Sequence, residues 1–410
     1  MTAKRRNKTV SVLLLVITVF PILAGCWDRM EIEERAVVLG IGIDKAKEKH
    51  TKPNEAVSHP ANKDMKVLGT DIIKVTVQIA VPGRIPLGPG EGGGGGGGQK
   101  TVWVVEAVGH TVADAFNVLQ QRVSRPLFFG HLRIIVVSEV VASKGIENLN
   151  DYFRRNPEVR RTNWMVICKG EAANIMHASP QLERVPTLYL MTTMDQAVKM
   201  GRFPNDFLGI FWSSVSAKGK EGYLPYMEMM ENDNVQISGL ALFRGDKLVS
   251  VTDPREIILY MGIMGVREGG GESYVKPKGS SDYFMFQSRT RKSTFKVSLQ
   301  DGKPHINVRV IIEGNLLSKS SEAVTLNEAL VRDIELQLDK IAMQSYKQLV
   351  VKTQAVSSDI FGFGEHIRAK LPKYWNEHIK TEEHWQEQYS GLKVDISVDI
   401  HVRRIGMKAT

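Results

Sequence analysis

The 410-residue chain has little cysteine, with only Cys26 and Cys168. Cys168 lies in the apolar run WMVIC, where a buried and inert thiol is the ordinary role. Cys26 stands between an apolar run and a charged segment, and the residues before it indicate that its thiol is modified. Because modification of Cys26 leaves Cys168 without a partner, we expect no disulfide.

The chain also lacks an apolar run of the ~20 residues that a membrane-spanning helix needs. Its first residues are basic, and the apolar run that follows is short and interrupted by Pro21. A basic start followed by a short apolar run is typical of a signal peptide. We therefore predict a signal peptide over residues 1–25.

The end of this segment, Leu23-Ala24-Gly25-Cys26, resembles the bacterial lipobox, in which the cysteine thiol receives a diacylglyceryl group before cleavage in front of it. A thiol suits this reaction because it is a soft nucleophile near neutral pH. Two acyl chains hold a protein stably at a membrane, whereas one binds only marginally. We predict Cys26 as the lipid-attachment residue; the alternative is an ordinary secretory signal followed by a spare thiol.

After residues 1–25, lysine and arginine form no block. The formal net charge of +9 becomes +5 once the four cations of residues 1–25 are removed. A mild positive charge that is spread along the chain does not indicate a nucleic-acid partner. It is compatible with an anionic membrane surface but does not require one. We expect the lipid bilayer as a partner through the lipid on Cys26, and no nucleic acid.

Recognisable catalytic and cofactor-binding motifs are missing as well. Gly40-x-Gly42 lacks the third glycine of a dinucleotide turn, and the glycine run 92–98 lacks the Lys-Ser/Thr ending of a phosphate loop. There is no HExxH zinc motif and no G-x-S-x-G nucleophile elbow. We therefore predict no catalytic residue, no metal and no cofactor beyond the covalent lipid on Cys26, while an active site assembled from residues distant in the chain stays open at this point.

Two groups of C-terminal residues have plain structural interpretations. The histidines His366, His378 and His384 do not have the close spacing of a zinc helix, and we interpret them as surface residues. A group of aromatic residues could stack on a sugar or base, but packing of a final helix is the preferred interpretation. Its members are Tyr374, Trp375, Trp385 and Tyr389.

Alternating strands and helices predict an N-terminal α/β domain over residues 26–205. Strands are expected at 36–43, 71–80, 101–108, 132–137 and 163–168, and helices from Thr111 and at 140–154. Thr111 and Asp114 form the capping pattern of the first helix. The glycine-rich segment 82–99 is predicted to be a flexible loop between two strands.

A middle domain is predicted over 206–284, with two strands joined by the turn Arg244-Gly245-Asp246 and a loop at 268–282. A C-terminal α/β domain follows over 285–410. There Thr325 and Glu328 form a capping box that begins a long helix over 325–352, and a strand is expected at 392–402. We expect the helices of this domain to lie on an antiparallel sheet. The whole chain is predicted as a three-domain mixed α/β (α+β) protein with mixed sheets flanked by helices.

Six blocks occur in order along the chain: GCWDRMEIEERAVVLGIGID at 25–44, SRPLFFGHLRIIVVSE at 124–139, RRNPEVRRTNW at 154–164, ISGLALFRGDKLV at 237–249, SDIFGFGEHIRAKLPKYWNEH at 358–378 and VRRIGM at 402–407. Together they resemble the Ger(x)C family, the lipoprotein C subunits of spore germinant receptors. The resemblance runs over nearly the whole chain after Cys26.

This resemblance implies a non-enzymatic subunit held by its lipid on the outer face of the spore inner membrane. Its implied partners are two integral-membrane subunits, the A-type and the B-type. Cys26 corresponds to the lipidated residue of the family, and no ligand-contacting residue is assigned. Residues 27–35 would then be juxtamembrane, and we hypothesise that they orient the protein toward the membrane subunits.

Two other functions stay open at this point. An extracytoplasmic solute-binding lipoprotein of a transporter would have two similar α/β lobes around a ligand cleft. An envelope hydrolase would need a nucleophile or a metal set, which the sequence does not display.

Overall fold

The computed structural model describes residues 31–47, 72–81, 101–178, 185–320 and 326–404, together with Leu13 and Glu183. Cys26 lies outside the described residues. So do the glycine-rich loop 82–99 and, apart from Leu13, the predicted signal peptide.

Two mixed β-sheets organise the described residues. The larger has nine strands in the spatial order β3-β2-β1-β5-β6-β7-β8-β9, with β4 beside β1. These strands are β1 (Ala36–Lys45), β2 (Ile73–Ala80), β3 (Val102–Gly109), β4 (Leu127–Phe128), β5 (Ile134–Ser138), β6 (Trp164–Cys168), β7 (Tyr223–Met229), β8 (Val235–Arg244) and β9 (Lys247–Val251). The smaller sheet contains, in this order, β10 (Glu272–Val275), β11 (Phe284–Gln300), β12 (Lys303–Lys319) and β13 (Lys393–Arg404).

Helices cover both sheets. They are α1 (Val112–Arg122), α2 (Glu139–Lys144), α3 (Glu147–Arg155), α4 (Ala172–His177), α5 (Pro186–Lys199), α6 (Leu208–Val215), α7 (Pro254–Ile263), α8 (Glu328–Ala355), α9 (Phe363–Lys370), α10 (Pro372–Tyr374) and α11 (Glu382–Tyr389). The short α10 continues into a π-helical turn over Trp375–Ile379. Within the described residues, no helix is both long and apolar enough to cross a bilayer. The predicted mixed α/β fold is confirmed.

The central strands are buried on both faces, as parallel strands covered by helices usually are. Strands β1, β5, β6 and β7 run parallel to one another. In β5, Ile134 and Val136 point into one hydrophobic cluster, while Ile135 and Val137 point into another. The first cluster continues into the small sheet and its helices, so the two sheets share one core.

The long helix runs over Glu328–Ala355, so both ends differ from the predicted 325–352. Its N-cap is Asn327, whose side chain accepts a hydrogen bond from the backbone N–H of Leu330 at 2.9 Å. The capping box predicted at Thr325 is therefore wrong, and Thr325 itself lies outside the described residues. Because Asn is a strong N-cap residue, the helix begins directly after it.

The expected antiparallel C-terminal sheet is also corrected. Strands β10, β11 and β12 are antiparallel, but β13 pairs with β12 in parallel, with His305 opposite Lys393. The helices α8 to α11 lie between these two strands in the chain. A crossover of this kind returns the chain to the same end of the sheet, which makes the new strand parallel.

The predicted domain limits stay predictions. Strands β7, β8 and β9 belong to the segment predicted as a middle domain, yet they are hydrogen-bonded into the large sheet. The other limit, at 284/285, falls at the first residue of β11. The predicted loop 268–282 contains the short strand β10.

Candidate functional site

The lipid-attachment candidate Cys26 lies outside the described residues, and the continuous description begins at Glu31. The next residues, Ile32–Glu34, form a 3₁₀ turn in which Ile32 is 47% exposed. Strand β1 follows almost at once, at Ala36. From Glu31 onward, the chain therefore enters the large sheet within five residues.

The chain enters the large sheet at the end of the sheet where the parallel strands β1, β5 and β6 begin. We call the segments 31–36, 126–133 and 156–163 the amino edge. The backbone N–H of Ala36 donates to the carbonyl of Pro126 at 2.8 Å. The Arg35 guanidinium lies over the Phe128 ring, 4.5 Å from its centroid, in a cation–π arrangement. These contacts fix the start of the sheet against the loop before β5.

Two of the sequence blocks that carry the resemblance meet at the amino edge. The backbone N–H of Phe129, in the block 124–139, donates to Glu158 Oε2 at 2.8 Å, and Glu158 belongs to the block 154–164. The Phe129 ring is buried edge-on against Phe116, with 4.9 Å between centroids. These two sequence blocks are therefore parts of one surface. The surface lies beside the start of β1.

Exposed charges of both signs lie along the amino edge. The cations are Arg133, Arg160 and Arg161, and the acids are Glu31, Glu33 and Glu34. Mixed charges of this kind contribute orientation and specificity toward a charged partner more than raw affinity.

A second feature is a polar joint between the two sheet layers, formed by the buried Glu221 and Asp359 and the half-buried Glu365. The backbone N–H of Glu221 donates to the backbone carbonyl of Asp359 at 2.9 Å. Glu365 Oε1 accepts from the backbone N–H of Gly219, also at 2.9 Å. The joint therefore ties the turn before β7 to the segment that begins α9.

Asp359 is the centre of the joint and is 1% exposed. Its carboxylate accepts hydrogen bonds from the backbone N–H groups of Gly362 and Gly364, each at 2.9 Å, and from Trp385 Nε1 at 3.1 Å. Burial raises the pKa of Asp359 to about 6, and these hydrogen bonds oppose that rise. Because both oxygens are used by these donors, Asp359 holds the fold together.

Glu221 is likewise a buried acid whose carboxylate binds hydrogen-bond donors of the fold. Its carboxylate accepts from the backbone N–H of Gly245 and from Gln386 Nε2, each at 2.7 Å. Burial raises the pKa of Glu221 to about 7. Since Gly245 belongs to the block 237–249 and Asp359 to the block 358–378, two more blocks of the resemblance meet in the joint.

Sequence reasoning did not identify the joint, although a signal for Asp359 was present. The pattern Asp359-Ile-Phe-Gly362-Phe-Gly364 places a short acceptor before two glycines, an arrangement in which Asp binds nearby backbone N–H groups. Glu221 offered no such local signal, because its partners are distant in the chain.

Cys168 and the C-terminal aromatic residues have structural roles. Cys168 is fully buried, and burial raises the pKa of its thiol well above the usual range, so the thiol stays protonated and inert. Trp375, Trp385 and Tyr389 are buried in the core, in agreement with the packing interpretation, while Tyr374 is half-buried.

The three C-terminal histidines have separate surroundings. His366 stacks on Phe295 with 4.7 Å between centroids, and His378 stacks on Tyr374 with 4.5 Å between centroids. His384 Nδ1 lies 3.1 Å from a backbone carbonyl oxygen. Among the residues that the structure describes, no group of three His, Cys, Asp or Glu side chains is placed to hold a metal ion.

Comparison with known proteins gives consistent matches along the chain. Residues 28–229 match the spore germination protein N-terminal domain, and residues 238–406 match the spore germination B3/GerAC-like C-terminal domain. Two relatives from Bacillus subtilis (strain 168) are each 24% identical. The putative spore germination protein YfkR is matched over 98% of both chains, and spore germination protein KC over 98% of this chain and 97% of its own.

A solved structure shares the fold. The crystal structure of the GerBC protein superposes with a TM-score of 0.54 over 81% of this chain and 94% of that chain, at 19% identity. The two family matches include strands of both sheets. They also include the sequence blocks that meet at the amino edge and those that meet in the joint. The chain therefore belongs to the Ger(x)C family of spore germination proteins.

Proposed function

We propose that this protein is the lipid-anchored C subunit of a nutrient germinant receptor, a non-enzymatic scaffold or signal relay needed for spore germination. Its proposed partners are the lipid bilayer and the integral-membrane A-type and B-type subunits, on the outer face of the spore inner membrane. The observation that carries the proposal is the family match, which spans nearly all of the chain after Cys26.

The geometry near Cys26 supports anchoring. Glu31 follows Cys26 by five residues, a stretch that spans at most about 18 Å when fully extended. A lipid on Cys26 would therefore hold the amino edge close to the membrane. There the exposed Arg133, Arg160 and Arg161 could meet anionic headgroups or a charged face of a membrane subunit.

The buried polar groups support a non-enzymatic role. The carboxylates of Asp359 and Glu221 are engaged by donors of the fold, and the Cys168 thiol is buried and protonated. A general base or nucleophile must instead reach a substrate atom.

The solute-binding alternative receives less support. It expects two similar α/β lobes around a cleft, whereas the described residues form a nine-stranded sheet and a four-stranded sheet with different strand orders. The two sheets also share a hydrophobic core, which does not suit lobes that close on a ligand by a hinge.

The test uses spores of the native host that carry wild type, Cys26→Ala or Cys168→Ala. We expect Cys26→Ala to leave the membrane fraction and to abolish most nutrient-triggered germination, because the two-chain anchor is lost. Cys168→Ala removes the other cysteine from a buried site and serves as the matched control, with membrane association and germination retained. Normal membrane association and normal germination of Cys26→Ala spores would contradict the proposal.

A further inference from the structure

A buried arginine in the small sheet has unused hydrogen-bond donors. Arg291 lies on β11 and is 4% exposed. Its Nη2 donates to the carbonyl of Gly201 at 3.2 Å, but Nε and Nη1 have no hydrogen-bond partner. Glu268, an acid whose charge acts on the guanidinium, is exposed to solvent. The guanidinium is therefore a buried cation without a buried counter-ion among the described residues.

Such an arrangement is unusual because an arginine keeps its charge inside a protein. Taking a charge out of water is costly unless an opposite charge and further hydrogen bonds compensate. Buried polar atoms without partners are rare in native structures, and each needs an explanation, such as a bound ion. An anionic ligand on Arg291 would supply both the charge and the acceptors.

Arg291 lines a cavity of about 260 Å³ between α7, α8 and the small sheet. This volume equals that of roughly nine water molecules in the liquid, enough for a small organic molecule. Phe286, Ile312 and Leu338 supply apolar wall, while Arg255 and Ile341 are exposed lining residues. The cavity thus combines an apolar interior, a solvent-exposed margin and one buried cation.

Two of the neutral hydroxyl groups that line the cavity belong to buried residues. Tyr346 is buried, and burial raises its pKa to about 12 although the Arg291 cation opposes the rise. Its phenol therefore keeps its proton near neutral pH and is a potential donor. Ser288, the second hydroxyl, accepts from the backbone N–H of Gly271 at 3.2 Å. A few polar groups at one end of an apolar pocket are the usual makeup of a small-molecule site.

We propose that this cavity, the Arg291 pocket, binds a small organic monocarboxylate. Nε and Nη1 of Arg291 are closed off from the cavity in this structure, so the carboxylate would accept hydrogen bonds from them once the side chain rotates toward the cavity. The hydrocarbon part of the ligand would lie against Phe286, Ile312 and Leu338. One buried cation matches a single negative charge, and the apolar wall favours a hydrocarbon body over phosphate or sulfate.

The test is isothermal titration of the purified full chain in detergent with 4-methylpentanoate, compared with its uncharged analogue 4-methylpentanamide. We expect saturable binding of the acid and at least about tenfold weaker binding of the amide, because only the carboxylate neutralises Arg291. No saturable heat with the acid would overturn the proposal, and so would equal binding of acid and amide.

Variants locate the site. Arg291→Met keeps much of the side-chain length without the charge, and Ala342→Leu fills the cavity from α8 without touching the arginine. Arg291→Met should weaken binding of 4-methylpentanoate at least about tenfold, as loss of one charged hydrogen-bonded contact does. Ala342→Leu should weaken it at least about tenfold because the larger side chain occupies the space of the ligand. Arg289→Met removes an exposed arginine two positions away on β11 and should bind like wild type.

The binding results of the variants can either support or overturn the proposal. Wild-type affinity in either Arg291→Met or Ala342→Leu would overturn the proposal. If one variant proves unstable, the other still reports on the same cavity. Because binding is measured on the purified chain, the result does not depend on the proposed receptor role.

Discussion

Glu221 shows how one buried acid makes the stability of the joint depend on pH. Its pKa is raised from 4.5 to about 7, mainly by burial and further by the charges of Glu382 and Asp359. Because the folded pKa is raised, the folded state binds the proton more tightly than the unfolded chain does. The stabilising contribution is full below pH 4.5 and is lost as the pH rises through about 7.

We predict that wild type loses about 2 to 3 kcal/mol of unfolding free energy between those two pH values through Glu221, at about 1.4 kcal/mol per pKa unit. Glu221→Gln cannot ionise, and Gln386 can reverse its amide to pair with it, so this variant should lose distinctly less. Urea unfolding at both pH values measures the difference. Glu387→Gln, an exposed acid on α11, is the control and should behave as wild type. An unchanged pH dependence in Glu221→Gln would contradict the assignment.

The N-cap residue of a helix could be predicted from the sequence where only one nearby residue was of a capping type. Thr111 caps α1, and its hydroxyl accepts from the backbone N–H of Asp114 at 3.1 Å, as the sequence predicts. At α8 the sequence offers Thr325 and Asn327 two positions apart, and both are residue types found at N-caps. The choice of Asn327 depends on where the helix packs, which local pattern does not reveal.

The sequence predicted whether a segment is a helix or a strand more reliably than where the helix or strand begins and ends. The single helix predicted over 140–154 is two helices, α2 and α3, separated at Gly145. Gly145 has φ +122°, and the backbone N–H of Ile146 donates to the carbonyl of Asp246 at 3.0 Å. The break thus comes from a contact with the β8–β9 turn, about a hundred residues away, which helical periodicity cannot show.

The direction of β13 relative to β12 could not be read from the sequence for a similar reason. An alternating strand has the same apolar pattern in parallel and antiparallel pairing. The pattern of 392–402 therefore predicted the strand but not its neighbour. Its pairing follows from the helical crossover between β12 and β13.

The start of α9 is tightly packed in the joint, and a single added methyl group tests this packing. A Cβ on Gly364 would lie 2.5 Å from Trp385 Cε2 and 2.7 Å from the Cα of Gly219. Overfilling a packed site typically costs 1–3 kcal/mol, so we predict that Gly364→Ala lowers the unfolding free energy by about 2 kcal/mol.

Thermal and urea unfolding measure that loss, and Gly391→Ala provides the control. A Cβ on Gly391 has no neighbour within 4 Å, so the control should match wild type or be slightly more stable. Equal stability of the two variants would show that the joint is looser than described.

At the scale of the whole molecule, the sequence predicted family and fold class better than sites. Five of the six blocks of the resemblance come together on folding. The blocks 25–44, 124–139 and 154–164 meet at the amino edge, and the blocks 237–249 and 358–378 meet in the joint. The Arg291 pocket was not predicted, because Arg291 stands in the polar stretch SRTRKS, where an arginine looks exposed. Its burial arises only when α7 and α8 cover the small sheet.

The measurement that tests the central claim most directly is the intact mass of the protein extracted from spore membranes of its own host. We predict a mature chain that begins at Cys26 and carries the added mass of a diacylglyceryl group on that residue. A chain from the membrane fraction with an unmodified Cys26, or with its first 25 residues still attached, would contradict the lipid-anchored subunit.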